Sequence, residues 1–364
     1  MTPVELHAFN GRTGAHIGRL RRSSLSWEDA LNAEGRLSAT VARGELSDRV
    51  AEMPYWAVLA AVRGDEVLHA GYLVSASHDA GRPWEMTAGG PMTVLQKRLV
   101  MNHDLDASWR DGTVVVDEDN PSGSWLLSFR NCSYSDLVSR LLRETLKFGE
   151  LPFVPAPLTG GDHERNYNSY DFATVADRVD DIMQLSDGPE VRFDPVLSGS
   201  WTLSFVQRTE SEIVDRVSRW NALLPGSPAK FEGVAVEGDT LCTQCYAVGG
   251  RDEDRLLVAR STSTALTSLG WPVLQAADVD HASVSELATL RKHAAGKVAV
   301  GTVLPKTSSL IITDPDAPVS VGDWANVREK KGAAGVTAYK VVGVSGSVDE
   351  GGYARTASLM GRVS

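Results

Sequence analysis

The residues whose types and spacing best suit chemistry are two cysteines three positions apart, Cys242 and Cys245. In redox enzymes such a pair lies at a helix N-terminus, where the helix dipole lowers the pKa of the first thiol. Here the flanking residues, Leu241 and 246–248, are typical of a β-strand. Alternation along a strand would send the two thiols to opposite faces. We therefore predict that they neither pair nor bind a metal ion together.

Three other segments contain side chains that serve in active sites. The acidic run 117–121 resembles a calcium loop, but Pro121 stands where an oxygen ligand is needed. His163 and Glu164 lack the second histidine of a zinc protease helix. The neighbouring carboxylates Asp180 and Asp181 would point about 100° apart on a helix. The sequence therefore predicts no catalytic, cofactor-binding or metal-binding residues.

The composition is that of a folded chain with several domains. It has 364 residues, of which 42% are hydrophobic and 23% charged, and about 100–200 residues make one domain. A formal net charge of −11 disfavours tight binding to nucleic acid. No run of about 18 apolar residues predicts a membrane-spanning helix. Three cysteines are too few for a disulfide framework, which favours a reducing cytoplasm.

Strand patterns dominate the first third of the chain. Apolar and polar residues alternate over 37–41, and a hairpin is predicted from 56–62 and 67–74 around Gly64. A further strand is predicted at 125–129. Between the hairpin and this strand, Pro91 opens a short helix.

Three helices are predicted from capping boxes, in which a Ser or Thr precedes an acidic residue by three positions. The first begins after Ser133, and the second begins after Thr174 and ends at 187–188. The third begins after Ser283 and ends at Gly296. Strands are predicted at 191–193, 201–206 and 231–246, the last interrupted at 238–239, and short strands over 298–364. The sequence thus indicates an α+β, β-rich fold.

Several segments, in this order, resemble one family. The N-terminal ones are 27–32, 35–41, 56–59 and 70–74, and the central one is 182–205, with a short helix followed by two strands. The later ones are 238–239, 246–250, 269–274 and the helix after His281. Together they resemble the hub proteins of long-tailed phages, particularly the minor tail proteins of phages that infect actinobacteria.

The resemblance implies a multidomain tail hub with two ring-forming β-barrel-like domains and peripheral α+β domains. The expected division is a first ring domain at 1–105, an α+β domain at 106–235, a second ring domain with a helix at 236–300 and a C-terminal β-rich domain at 301–364, with some domains built from discontinuous segments. It implies a virion protein at the tail tip, assembled in the host cytoplasm.

The resemblance also implies the partners. These are two further copies of the chain in a homotrimer, the distal tail ring, the tape-measure protein and downstream tip or receptor-binding proteins. Phage DNA is expected to pass through the lumen without specific binding. The acidic balance would suit such a pore if the acidic residues line it. Because the chain ends at Ser364 without a lytic or fibre-like extension, we expect other proteins to digest the cell wall and bind the receptor.

Two alternatives to a structural hub remain open from the residues. Nine tryptophans and many short strands also suit a carbohydrate-binding or adhesive module. A cell-wall hydrolase or a metalloenzyme using Cys242 and Cys245 is the third possibility. The sequence favours the interpretation as a structural hub that has no enzymatic activity and does not insert stably into a membrane.

Overall fold

A computed structural model describes residues 2–109, 112–116, 122–236, 238–252, 255–281, 287–303, 305–314, 316–329, 335–349 and 352–362. Strands account for 48% of the structure and helices for 19%, which confirms the predicted α+β, β-rich fold class. Within the described ranges, every helix is too short or too polar to cross a bilayer. The predicted acidic loop at 117–121 and the predicted cap at Ser283 lie outside the described residues.

The N-terminal part forms seven strands and a short helix. They are β1 (Val4–Asn10), β2 (His16–Leu20), β3 (Arg22–Ala30), β4 (Arg36–Val41), α1 (Glu45–Ala51), β5 (Ala57–Arg63), β6 (Glu66–Ser77) and β7 (Trp84–Gly89). The predicted hairpin is confirmed, because β5 pairs antiparallel with β6. Its turn contains Gly64 at φ +63°, a conformation that glycine adopts without strain.

A mixed layer of helices and strands follows. Its elements are α2 (Pro91–Leu95), β8 (Leu126–Cys132), α3 (Tyr134–Lys147), β9 (Phe153–Val154), β10 (His163–Asn168), α4 (Val175–Met183), β11 (Glu190–Leu197) and β12 (Leu203–Glu210). Both predicted capping boxes here are confirmed. Ser133 Oγ accepts from the backbone N–H of Asp136, and Thr174 Oγ1 accepts from that of Asp177, each at 3.1 Å.

The remaining elements form the C-terminal half. They are β13 (Val217–Asn221), β14 (Ala229–Val236), β15 (Gln244–Asp252), β16 (Arg255–Thr262), β17 (Gln275–His281), α5 (Leu287–Gly301), β18 (Pro305–Ile312), β19 (Trp324–Arg328), β20 (Val336–Asp349) and β21 (Gly352–Arg362). The C-terminal strands were predicted to be short. This was wrong for β20 and β21, which pair over most of their length as one long hairpin.

Three predicted element ends were also wrong. Helix α4 ends at Met183 rather than at 187–188, and β12 begins at Leu203, because Trp201 has φ +55°. Helix α5 continues through Gly296 to Gly301. A Cβ at Gly296 would contact the carbonyl oxygen of Gln184. This glycine therefore permits close packing of α5 against the mixed layer and does not end the helix.

The N-terminal and C-terminal strands belong to a single 13-stranded sheet. Its main order is β14-β18-β21-β20-β3-β4-β7-β6-β5-β1-β2, and β13 joins through β19. The two halves meet where β3 pairs antiparallel with β20, with Ser26 opposite Ser347. Strands β16, β15 and β17 form a separate three-stranded sheet, against which α5 packs through Leu290 and Ala294.

The main sheet holds most of the apolar core. Around β1 and β5 both of its faces are covered, since Val58 and Ala60 face α3 and α4 whereas Leu59 and Ala61 face the strands of the N-terminal half. Burying both faces explains why β5 is apolar along almost its whole length. The C-terminal strands enclose a further core.

Candidate functional site

The two cysteines with redox-like spacing lie in one buried cluster with Val298 of α5. The prediction that they face opposite sides was wrong. Cys242 precedes β15, which begins at Gln244, so strand alternation does not govern the pair. The Cys242 thiol donates to the carbonyl oxygen of Gln244 at 3.2 Å. Burial, with smaller contributions from Cys242 and Asp278, raises the pKa of Cys245 to about 11. This environment disfavours the thiolate that redox chemistry and metal binding require.

We therefore expect Cys245 to resist alkylation in the native protein. At neutral pH its thiol is protonated, and it is fully buried. Iodoacetamide at pH 7.5 should label Cys242 and Cys245 slowly until urea unfolds the chain, with labelling followed by mass spectrometry. An added Ser186→Cys, at an exposed position, is the positive control. Labelling of Cys245 at the rate of this control would contradict the assignment.

The other sequence candidates are separated from one another. Asp181 pairs with Arg178 at 3.0 Å, whereas Asp180 accepts a hydrogen bond from Gln184. Burial and the neighbouring Asp181 raise the pKa of Asp180. His163 stacks on Tyr134, with ring centroids 4.0 Å apart. Across the described part of the chain, no three His, Cys, Asp or Glu side chains are grouped as a metal site.

Only two of the nine tryptophans that suggested a sugar-binding surface are exposed, and the others are buried or half-buried. Trp27, Trp84, Trp125 and Trp220 are buried. Trp109 and Trp271 are exposed, but they belong to different parts of the fold and Trp109 packs edge-on against Trp125. The aromatic residues therefore do not form a shared stacking platform.

A mostly buried arginine, Arg192 of β11, lies where the mixed layer meets the C-terminal half. Its guanidinium donates to Asp194 at 2.5 Å, to Asp215 at 2.6 Å and to the carbonyl oxygen of Val321 at 2.5 Å. Burial disfavours its charge, but the hydrogen bonds and attraction of both aspartates outweigh this and raise its pKa. Arg192 thus ties the mixed layer to the C-terminal half.

Lys340 makes a second tie of the same kind. Its ammonium group is 3.1 Å from Glu190 and 3.3 Å from Glu212, and it donates to the carbonyl oxygen of Ile213. Sequence reasoning missed both cations because, apart from Asp194 beside Arg192, their partners come from distant segments. The only local signal was a basic residue in an otherwise strand-like pattern.

An acidic cleft of about 460 Å³ opens beside Arg192. Its lining includes Asp29 and Glu34 of the N-terminal part, Asp177 and Asp180 of α4, and Arg192. Burial raises the pKa of Glu34 and of Asp180. The excess of carboxylates makes the cleft suited to a basic segment and unsuited to a phosphate.

A paired-histidine contact holds the loop between β11 and β12 against the first hairpin. His7 Nδ1 and His16 Nε2 are 3.0 Å apart, and both rings lie beside Trp201, at 5.0 and 5.2 Å between centroids. Glu5 contacts His7 on its other nitrogen and also pairs with Arg19. One histidine must donate and the other accept, so the contact needs a neutral acceptor nitrogen.

Acid is expected to weaken this contact. Burial lowers the pKa of His7 and of His16 below their ordinary value of 6.5. The unfolded chain therefore binds more protons, so the free energy of unfolding falls as the pH drops through about 6.5. Urea unfolding between pH 7.5 and 5 should show this fall, and H7Q should reduce it. An unchanged slope in H7Q would assign the acid sensitivity to other groups.

Comparisons with known proteins identify the fold class. No protein-family model matches the chain, and no curated protein matches its sequence. Among solved structures, the chain has the β-rich fold of phage tail proteins and a related secretion component. The similarity extends over nearly the whole chain at 10–12% sequence identity, so it shows the fold alone.

Three of the solved structures with this fold illustrate the similarity. The 43 kDa tail protein of prophage MuSo2 from Shewanella oneidensis has a TM-score of 0.55 at 11% identity, with 98% of each chain covered. The tail protein from Neisseria meningitidis MC58 has a TM-score of 0.56 at 12% identity, covering 99% of this chain and 95% of that one. An E. coli type VI secretion component, described as similar to T4 bacteriophage tail proteins, has a TM-score of 0.51 at 10% identity, covering 100% and 75%.

Proposed function

We propose that this chain is a non-enzymatic structural protein of a phage tail. In this proposal, three copies form the hub at the distal end of the tail tube, link the tube to the tip and conduct DNA during ejection. The observation that carries it is the pairing of β3 with β20, which joins the two halves of the chain in a single sheet. Two β-rich halves per subunit would allow a trimer to meet a sixfold tube.

We propose two ring domains within this sheet. The first is 1–105, as the sequence resemblance implies. The resemblance implies a second ring domain at 236–300, but we propose instead that it combines 217–236 with 305–362, because β14 pairs with β18 and β13 pairs with β19. The sheet and helix over 244–301 would then be an inserted unit. The mixed layer, which lies between the two ring domains in the sequence, would be peripheral in the assembled ring.

The proposed location is the tail tip of the virion, after assembly in the host cytoplasm. The distal tail ring, the tape-measure protein and downstream tip or receptor-binding proteins are the proposed partners. The sequence resemblance to minor tail proteins of actinobacterial phages supports these assignments. The fold of the tail proteins from Shewanella and Neisseria is consistent with them.

The test is the assembly state of the purified chain. Mass photometry and negative-stain electron microscopy should show three subunits, about 118 kDa from a chain of 39.2 kDa, arranged around a central hole. A compact monomer that hydrolyses a cell-wall substrate would overturn the proposal. Binding on a glycan array by such a monomer would favour the adhesive module.

A further inference from the structure

One face of the main sheet is lined by serine and threonine side chains across seven adjacent strands, β6, β7, β4, β3, β20, β21 and β18. Cross-strand register places these hydroxyls on the same side. We call this surface the hydroxyl face, and its Ser and Thr members are Ser75, Ser77, Thr87, Ser38, Thr40, Ser24, Ser26, Ser345, Ser347, Thr356, Ser358, Thr307 and Ser309.

The hydroxyl face is the solvent-facing side of strands whose other side packs against the hydrophobic core. Along β3, Ser24 and Ser26 alternate with buried Leu25 and Trp27. The same alternation runs through β4, where Ser38 precedes a buried alanine. Such alternation requires only that this side be polar, and strand propensity favours threonine, whereas nine of the thirteen members are serine. Strand formation alone therefore does not explain the number of serines.

The face carries little net charge, unlike the chain as a whole. By register its charged members are three acidic residues and two basic ones, namely Glu28, Glu85, Asp349, Arg36 and Lys340. Glu28 lies directly opposite Arg36. Glu85 accepts a hydrogen bond from Thr40, which accepts one from Ser24. The chain has 47 acidic and 36 basic residues, so most of its acidic excess lies on other surfaces.

The face is continuous across the join between the two halves of the chain. At β3 and β20, Ser26 lies opposite Ser347, and Glu28 lies opposite Ser345. A groove of about 310 Å³ crosses this join, and Ser38 and Thr356 are among its lining residues. A surface that spans both halves of each subunit would become a continuous band when subunits close into a ring.

We infer that the hydroxyl face lines the lumen of the ring and that duplex DNA slides along it. This inference rests on the proposed function. Rows of Lys or Arg would bind phosphates and release counterions, which would retain the DNA. A wall of carboxylates would repel a confined polyanion. Hydroxyls offer weak, rapidly exchanged hydrogen bonds to phosphate and water, so they neither retain the DNA nor repel it. The lumen is then neutral instead of acidic.

The first test is chemical access in the assembled ring. The three native cysteines are buried, so a new cysteine at an exposed position can be labelled selectively. In the ring, S26C should react with N-ethylmaleimide but at least about tenfold more slowly with a 5 kDa polyethylene-glycol maleimide, because the lumen admits only the small reagent. S186C, at an exposed position outside the face, should react with both.

The second test identifies what occupies the lumen. The triple variant S26K/S77K/S358K adds cations at exposed positions of the hydroxyl face, and S186K/S211K/S268K adds the same number elsewhere. Rings of the first variant should retain linear duplex DNA roughly tenfold more tightly than covalently closed circles, because only linear DNA can thread a ring; the gain follows from the added phosphate contacts. Rings of the second variant should bind both forms equally.

The outcomes separate the inference from the proposed function. A monomeric wild-type chain would overturn both. A ring in which the large reagent labels S26C as fast as S186C would place the face outside the lumen and overturn only the inference. Loss of ring assembly in S26K/S77K/S358K, with S26C unreactive to both reagents, would make the face a contact between copies of the chain. Equal retention of linear and circular DNA by the hydroxyl-face variant would exclude DNA threading.

Discussion

Replacing Arg192 with alanine is expected to lower the free energy of unfolding by about 2–3 kcal/mol. The substitution removes the cation that separates Asp194 from Asp215 and leaves the carbonyl oxygen of Val321 without its donor. The guanidinium is mostly buried, at 15% exposure, although both carboxylates are about a third exposed. Arg208 also contacts Asp215, so it limits the loss. Urea unfolding followed by tryptophan fluorescence measures the change.

The matched control removes an arginine from an exposed ion pair. Arg12 lies 3.4 Å from Glu150, and both side chains are more than 70% exposed. R12A should change the free energy of unfolding by less than about 0.5 kcal/mol. If R192A and R12A proved equally harmless, the joint between the mixed layer and the C-terminal half would not depend on Arg192.

Replacing Gly346 with alanine is expected to cost about 1–3 kcal/mol through overpacking at the join of the two halves. A Cβ at this position of β20 would lie inside van der Waals contact with the ring of Trp27 on β3. Trp27 is 4% exposed and packs beside Tyr353, so its ring has little space to move. Thermal unfolding of the wild-type chain and of G346A measures the effect.

The control for Gly346 is Gly343, three residues earlier in the same strand. Its Cβ would lie 3.3 Å from the Cβ of Ser358, a contact that a small shift relieves. G343A is therefore expected to cost less than about 1 kcal/mol. Equal effects of the two substitutions would mean that contact with Trp27 does not explain the loss in G346A.

Local patterns predicted the elements well where a few neighbouring residues decide the structure. The capping boxes at Ser133 and Thr174 are confirmed because their hydrogen bonds link residues three positions apart. The hairpin of β5 and β6 is confirmed because Gly64 provides its turn. In each case the determining contact lies within a short stretch of sequence.

The errors arose where a distant contact decides the local structure. Gly296 looks like a helix end, yet it allows α5 to approach the carbonyl oxygen of Gln184. Trp201 looks like a strand residue, yet it takes a left-handed conformation and packs beside His7 and His16. The separation of the cysteine thiols was also predicted wrongly, because β15 starts at Gln244 and Cys242 therefore lies outside the strand.

By itself, the sequence determined the β-rich fold class, the hairpin and the first two capped helices, since these follow from periodicity and short-range hydrogen bonds. Only the tertiary structure decided that β3 pairs with β20, that Arg192 and Lys340 tie the mixed layer to the C-terminal half, and that serines of both halves share one face. These features depend on register and contacts between residues far apart in the chain. Local sequence patterns do not encode such pairings, because one strand can pair with many others at similar local energy.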